Sequence, residues 1–484
     1  MRGKLQDKEF IVRNATQHPI SVQDTSAAVV SLLPGIPTAV TLNSRAKHVI
    51  IVCNDKDGLN INIAVPITKA LPLKRLENTA SDMQPSPYVV YSFMEEALDS
   101  KQSTILVLPR RNLSAFLGDF NDFVPLSSLL LPGTHDSVAY YGYPFSQCQS
   151  PTFPLPTQLR SGVRTLDIRL AVLPVKAKDP KTGKRITKPT LAAFHGIISQ
   201  RVFFSSILHV IKEFLAENKT ECVVMSLKQE DGARTPEAVF SRLVKEEVYA
   251  DRSLWFLQNR IPRLGEVRGK IILFSRFRDV GADWPGGDEH GLGLHPTTWP
   301  VSPREAFQWH ARDHTLVQTH DWYNIGSFLS TPEKFTLATS NLLVPSTSLP
   351  PIFQMPSQRI SFMSAFTFPL ALPPLIALGI KWGFFGWNGV NQRLAAWLLH
   401  RFTREHERAA NTTVAETRFE KEQSSDNIID YSGEIKTRIK GINTAMEADD
   451  REYDHETKVR GWILLDFVDQ PGDLLPLLVE CNYR

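Results

Sequence analysis

Cysteine is scarce in this 484-residue chain, and the four present (Cys53, Cys148, Cys222 and Cys481) are scattered with no C-x-x-C spacing. That scatter argues against a disulfide framework and a cysteine-built metal site, and it predicts free thiols. Charge of one sign is scarce as well. The 54 Lys and Arg residues nearly balance 51 Asp and Glu, and no long basic run occurs, so nothing points to nucleic acid. A bilayer-spanning helix needs about 20 continuous apolar residues, and none is found. The nearest approach, Ile360 to Val390, has Lys381 as its single charge but is interrupted by Pro369, Pro373 and Pro374. The opening MRGKLQDKEFIVRN puts charges where a secretory leader needs an apolar run, so a cytoplasmic protein is expected. The sequons at Asn14, Asn112, Asn218 and Asn411 then read as coincidental.

What is present is organised in three stretches. From about Glu9 to Thr68, the runs FIVRN, ISVQD, AAVVSLL, TAVTL, HVIIVC and LNINIAV alternate apolar with polar positions between turn signals. This pattern predicts an N-terminal all-β, sandwich-like domain over 1–75, without catalytic residues. A polar, Pro-containing connection is expected over 76–111, with VVYSFMEEAL inside it reading as helical. From residue 112 to 484, apolar runs alternate with helical patterns such as FFSSILHVIKEFLAEN and TPEAVFSRLVKEEV, which argues for an α/β domain. A charged stretch, 403–458, reads as an insertion between the last two strands.

Eight short runs along 125–470 carry the functional information: LLLPGTHD, VRTLDIRL, LAAFHG, CVVMSLKQE, KIILFSRF, TLVQTHDWY, RISFMSAF and GWILLDFV. Seven end in side chains fit for chemistry: His135 with Asp136, Asp167 with Arg169, His195, Lys228, Arg276, Asp321 and Asp466. The other offers only Ser364. Chemistry gathered at the ends of successive buried strands predicts a TIM-type (β/α)8 barrel, one that need not be regular or fully closed. Cleavage of a phosphodiester by an internal hydroxyl needs a base, an acid and a cation beside the phosphate. Histidine serves either proton-transfer role near neutral pH, and an arginine fork matches phosphate oxygens. His135, His195 and Arg169 supply that set.

The combination of LLLPGTHDS, Gln158-Leu159 leading into SGVRTLDIR, then FHG and VVMSLKQE resembles the X region of phosphatidylinositol-specific phospholipase C. The likeness continues through GEVRGKIILFSRF, VQTHDWY and GWILLDF. It implies that His135 is the general base for the inositol 2-hydroxyl and that Asp466 orients it. It implies that His195 is the general acid, assisted by Asp136. Arg169 would bind phosphate, with Asp167 holding it or a neighbour. Lys228, Arg276 and Asp321 would bind inositol hydroxyls, with Tyr323 stacking on the ring. Lys228 and Arg276 also read as ordinary rim cations. The run around Asp321 departs from the family's simpler pattern by an extra histidine, His320, which leaves the headgroup contacts least secure.

The resemblance also bears on metal. The calcium-dependent branch of the family has acidic residues at the equivalents of Asp167 and Arg169, and another at Lys228. Cations at two such positions predict a metal-independent enzyme with no cofactor and no calcium. The expected partner is phospholipid at a membrane surface, reached by a monomer through peripheral contact over 366–387. There Phe366, Phe368, Leu370, Leu372, Trp382, Phe384, Phe385 and Trp387 form an apolar rim with Lys381 beside it. A buried loop is the other reading of that segment. Two further functions stay open: cleavage of another phosphodiester, and a catalytically idle membrane-binding protein.

Overall fold

The computed structural model describes residues 8–23, 29–42, 48–54, 60–66, 74–76, 87–97, 100–178, 182–278, 284, 291–346, 357–382, 385–405 and 457–484. The chain divides into two compact units, one of residues 1–110 with 396–456 and one of 111–395 with 457–484.

The second unit is built on a single sheet. Its main strands are β1 (Leu130–Thr134), β2 (Thr165–Lys178), β3 (Arg185–His195), β4 (Ile198–Phe203), β5 (Val223–Gln229), β6 (Ile271–Arg276), β7 (Leu316–His320), β8 (Ser357–Phe362) and β9 (Gly461–Leu465). Seven of them run parallel in the order β6-β5-β2-β1-β9-β8-β7. Helices such as α1 (Phe204–Glu217), α2 (Glu237–Ala250) and α3 (Thr331–Ser340) separate them in sequence. Every residue of β1 and β9 is buried, as expected for parallel strands covered on both faces. In α1, Phe204, Ile207, Ile211, Phe214 and Leu215 form the buried stripe that helical spacing predicts.

The run LAAFHG is not one of the parallel strands; the eighth parallel strand is instead the short Trp255–Phe256, which lies beside β6. LAAFHG lies in β3, which pairs antiparallel with β2 over Leu170–Lys178 and then hands the chain to β4. A run of four apolar residues cannot reveal strand direction, because direction is set by the partner. The sheet ends in Trp255–Phe256, parallel to β6, and in Phe307–His310, antiparallel to β7, and these two are not paired with each other among the described residues. The sheet nevertheless curls. Phe274 of β6 stacks on Trp309, next to β7, with ring centroids 6.1 Å apart, and it meets Trp462 of β9 edge-on at 6.0 Å. Leu131, Val224, Ile272, Val317, Ile360 and Leu464 join the same core.

The first unit contains two sheets, of five and four strands. Phe10, Val12, Val40, Val90 and Val107 from one, with Ile20, Val22, Leu32 and Ile51 from the other, form one apolar cluster. The segment expected to be a connection with a helix instead contributes antiparallel strands Tyr88–Ala97 and Ser100–Pro109. Tyr88, Val89, Val90, Tyr91 and Phe93 are all buried, so neither a helical nor an alternating period shows in the sequence. The β region therefore reaches residue 109 rather than 75. Most of the expected charged insertion, 406–456, lies outside the described residues, as do Asn411 and His290.

Candidate active site

Because the seven strands are parallel, the residues ending them emerge at one edge of the sheet. The turn after β1 is strongly braced there. Asp136 has a φ of 43°, a left-handed conformation that a non-glycine residue keeps only when its surroundings hold it. Ser137 Oγ donates to the Thr134 carbonyl at 2.9 Å and accepts the Asp167 N–H at 2.9 Å. Buried Gln158 donates to the Ser137 carbonyl at 2.9 Å and accepts from the Thr134 hydroxyl at 3.0 Å. This network joins β1 to β2 and gives the Gln158 of the sequence motif a structural role.

His135 is held in one tautomer. Arg169 Nη2 lies 2.6 Å from its Nε2, and a guanidinium nitrogen only donates, so Nε2 bears the lone pair. The proton therefore sits on Nδ1, which donates to Asp466 Oδ1 at 2.8 Å. Burial, and then the adjacent Arg169, hold the His135 pKa well below the ordinary histidine value. A neutral imidazole with its lone pair toward the cavity is a base ready to accept a proton. Burial and the charge of Asp136 push the Asp466 carboxyl upward. The Nδ1–H bond nonetheless requires Oδ1 to accept, and Asn391 fixes the backbone behind it by donating to the Asp466 carbonyl at 2.9 Å.

His195 is anchored through different partners. Its Nδ1 donates to the Ser146 carbonyl at 2.7 Å, which leaves Nε2 facing Asp136 Oδ2 at 3.5 Å. With Nδ1 anchored in this way, Nε2 is the ring nitrogen left to meet a ligand in the cavity. The two imidazole rings stand perpendicular, 89° apart, with centroids separated by 6.3 Å.

Arg169 stands against His135 within a cluster of carboxylates. Its guanidinium is 3.0 Å from Asp136 Oδ2, 3.1 Å from Asp167 Oδ2 and 3.8 Å from Glu230 Oε1. Burial opposes its charge, but the three carboxylates raise its pKa well above the usual value. Asp167, wholly buried, stays below the usual carboxylate range, because Arg169 and Arg276 outweigh its burial. Burial dominates at Asp136 and raises its pKa.

A cavity of about 310 Å³ opens over these groups. His135, Arg169, His195, Lys228, Arg276, Asp321, Tyr323 and Asp466 line it. Asp136 and Asp167 do not line it, although both pair with Arg169 and Asp136 Oδ2 also lies 3.7 Å from His135 Nε2 and 3.5 Å from His195 Nε2. Ser364 also lines the wall. Arg276 lies flat over Trp299, 4.1 Å from the ring centre, and reaches Asp167 at 3.5 Å and Asp321 at 3.9 Å. Lys228 pairs with Glu230 at 3.2 Å, and Arg169, followed by burial, lowers its pKa.

Several participants escape the sequence reading. Glu230 was legible in principle, since it lies two residues beyond Lys228 and so on the same face. Trp299 sits in a loop, donates to Asp321 Oδ2 at 2.9 Å, and has no periodic pattern to mark it. Ser146 contributes only a carbonyl, which any residue possesses. Buried Cys148 packs beneath both histidines, with Sγ 3.7 Å from His195 Nδ1, and burial raises its thiol pKa. Cys148, Cys222 and Cys481 are free thiols, as expected. His320 is fully buried with a pKa pushed down to about 3, mainly by burial, so it packs as a neutral ring.

The rim is apolar. Phe366, Phe368 and Leu370 are exposed, and Phe368 meets exposed Phe145 with ring centroids 5.8 Å apart. Leu372 and Trp387 are only partly exposed, while the side chains of Lys381, Trp382, Phe384 and Phe385 lie outside the described residues. Among the described residues, no helix is long and apolar enough to cross a membrane.

Residues 133–277 match the family model "Phosphatidylinositol-specific phospholipase C, X domain", so the resemblance read from the motifs is borne out over that stretch. A 1-phosphatidylinositol phosphodiesterase of Listeria monocytogenes is 31% identical over 167 residues, 32% of this chain and 46% of that protein. One from Staphylococcus aureus (strain Newman) is 26% identical over 171 residues, 33% and 50% respectively. The chain spans about half the length of the curated relatives it matches. Two solved structures of bacterial phosphatidylinositol-specific phospholipase C are similar. That of S. aureus has a TM-score of 0.46 at 17% identity, covering 77% of this chain and 98% of its own. That of L. monocytogenes has a TM-score of 0.42 at 19% identity, covering 77% and 99%.

Proposed function

We propose that this chain, with an X domain of the phosphatidylinositol-specific phospholipase C family over residues 133–277, cleaves phosphatidylinositol-type lipids to diacylglycerol and a cyclic inositol phosphate. One observation carries the reading: His135, with Nε2 able to accept a proton, and His195 stand with ring centroids 6.3 Å apart, and Arg169 lies against His135. The inositol 2-hydroxyl loses its proton to His135 Nε2 as its oxygen bonds to phosphorus. The bond from phosphorus to the glycerol oxygen breaks, and that oxygen takes the proton of His195 Nε2. Arg169 turns from His135 to the phosphate and offsets the charge growing on it. Asp466 steadies the imidazolium formed at His135, as the third member of a catalytic triad does for its histidine.

The reaction proceeds without a metal. Calcium takes six to eight converging oxygens, roughly, at about 2.3–2.6 Å. Ligand atoms of His135, Asp136 and Asp167 do come within 4.8 Å of one another. The Arg169 guanidinium, however, already holds both carboxylates at 3.0 and 3.1 Å and brings the positive charge a metal would supply. The curled parallel sheet is an incompletely closed barrel of the TIM type, and the N-terminal unit is a sandwich-like β domain. The exposed Phe145, Phe366, Phe368 and Leu370 make a peripheral, reversible contact with lipid, and the working form is a monomer.

A phosphorus NMR time course on phosphatidylinositol vesicles, with and without chelator, tests the proposal. A cyclic phosphate is expected in both samples. No turnover, an acyclic first product, or activity abolished by the chelator would each refute it. One observation favours a second substrate class. Asp321 Oδ2 is already taken by the Trp299 N–H, which leaves less of that carboxylate for inositol hydroxyls. Faster cleavage of glycerophosphodiesters or sphingomyelin than of phosphatidylinositol would select that reading.

A further inference from the structure

From Lys176 to Lys188 the chain reads KAKDPKTGKRITK, six cations against the single carboxylate of Asp179. Five of them, Lys176, Lys178, Lys184, Arg185 and Lys188, are exposed, and none of the five pairs with a carboxylate among the described residues. They sit on the ribbon made by β2 and β3. β2 pairs with β5 as far as Leu170, and beyond that point it runs on to Lys178 against β3. At about 3.3 Å per residue, Lys178 lies roughly 30 Å along the strand from Arg169, the cation of the cavity. Lys178 directly opposes Arg185, and Lys176 stands two positions along on the same face. Like charges directly opposite one another destabilise a strand pair, so this face is unfavourable until an anion covers it. Exposed apolar groups adjoin the base of the ribbon. Ile197, in the turn after His195, is 85% exposed. Exposed Tyr143 stands on a loop tied to β4 by the Tyr141 N–H, which donates to Gln200 Oε1 at 2.9 Å. Cations beside exposed apolar side chains match the two layers of a membrane surface, charged headgroups over hydrocarbon. A nucleic acid duplex would meet the cations but leave the apolar side chains without a partner.

We propose that the cationic face of this ribbon binds the headgroups of an anionic lipid bilayer, beside the apolar contact made by the rim. The inference rests on the proposed function only in taking lipid as the surface that is met, and it does not depend on the cleavage reaction. Lys176, Lys178 and Arg185 are its distinguishing residues, since none of them lines the cavity. Attraction of this kind favours anionic membranes and fades as salt is raised, whereas an apolar rim meets neutral and anionic lipid alike.

The test sediments the full chain with vesicles of phosphatidylcholine, alone or mixed with phosphatidylserine, at low and at high salt. The parent is compared with a triple variant, Lys176→Gln, Lys178→Gln and Arg185→Gln combined, and with Phe368→Ser; thermal melts establish that each folds. One basic residue near an anionic surface is worth about fivefold in partitioning. The triple variant should therefore lose about 100-fold on anionic vesicles at low salt and nothing on neutral ones. High salt should remove most of the parent's advantage and change the triple variant little. Unchanged partitioning of the triple variant to anionic vesicles, or an equal loss on both kinds, overturns the proposal. So does a DNA duplex of random sequence that the parent binds more tightly than anionic vesicles and that the triple variant releases. Phe368→Ser keeps the two contacts apart, because it should weaken binding to both kinds of vesicle equally. If it changes neither while the triple variant loses anionic binding, the rim contact fails and the ribbon contact stands.

Discussion

Replacing Asp466 with asparagine changes almost no volume, yet it should disable the base. Asp466 Oδ1 accepts the Nδ1 proton of His135 at 2.8 Å, and Arg169 Nη2 lies 2.6 Å from the opposite ring nitrogen. The imidazole is pinned between an obligate acceptor and an obligate donor, so only one tautomer fits. An asparagine amide can turn its NH2 toward Nδ1, which moves the ring proton to Nε2. Nε2 then has no lone pair for a substrate hydroxyl, and its proton faces a guanidinium. A wrong tautomer of this kind costs about 10⁴-fold in the serine-protease triad, and at roughly 1.4 kcal/mol per decade that is about 5.5 kcal/mol of barrier. Asp466→Ala removes the charge but imposes no tautomer, so its loss should be smaller, about 10²-fold to 10³-fold. Initial rates of cyclic phosphate formation rank the two, and nitrogen-15 shifts of His135 report the tautomer directly. Asparagine within tenfold of the parent, or more active than alanine, would contradict the assignment of base and orienter.

Four further outcomes follow from the same geometry. His195→Ala should lose about 10²-fold to 10⁴-fold on a natural lipid but much less on a substrate with an activated phenolate leaving group; equal losses on both would remove His195 from the acid role. Arg169→Gln takes away a cation that lowers the His135 pKa, so the acidic limb of the kcat/KM profile should move to higher pH, and a stationary or falling limb would oppose this. Glu221→Ala leaves the fully buried Arg164 without its 2.7 Å partner and should cost about 3–5 kcal/mol in urea unfolding, with little change in activity per folded molecule; a cost below about 1 kcal/mol would refute the pair's structural role. Phe368→Ser should weaken sedimentation with lipid vesicles by about tenfold while sparing a soluble monomeric substrate, and unchanged partitioning would rule out the apolar rim as the membrane contact.

The site was far more legible than the elements that carry it. His135, Asp167, Arg169, Lys228, Arg276, Asp321 and Asp466 were readable because buried parallel strands make unbroken apolar runs, and a charged residue ending such a run must face a site or a partner. His195 was found for a reason the structure corrects. LAAFHG looks like the other runs but belongs to an antiparallel ribbon, and nothing in six residues encodes which neighbour they will pair with. Tyr88–Ala97 shows the same limit, since a strand buried on both faces loses the alternation that would distinguish it from a helix. Trp299 and the Ser146 carbonyl were invisible because loop placement and backbone groups have no periodic signature. Thr235, a natural capping residue just before α2, instead donates its hydroxyl to Asp231, and Pro236 takes the N-cap position.

The different anchoring of the two histidines has a mechanical consequence. His135 hangs from β1, which is clamped between β2 and β9 and is buried throughout. His195 ends an arm whose outer pairs, Val175 with Lys188 and Ala177 with Ile186, stand partly in solvent. In the proposed reaction, ring closure would thus inherit the stiffness of the sheet, whereas departure of the leaving oxygen would inherit the compliance of a ribbon. Shortening that ribbon, or stiffening it with a cross-link, would retune the second event while leaving the first untouched, so the two proton transfers can be evolved apart.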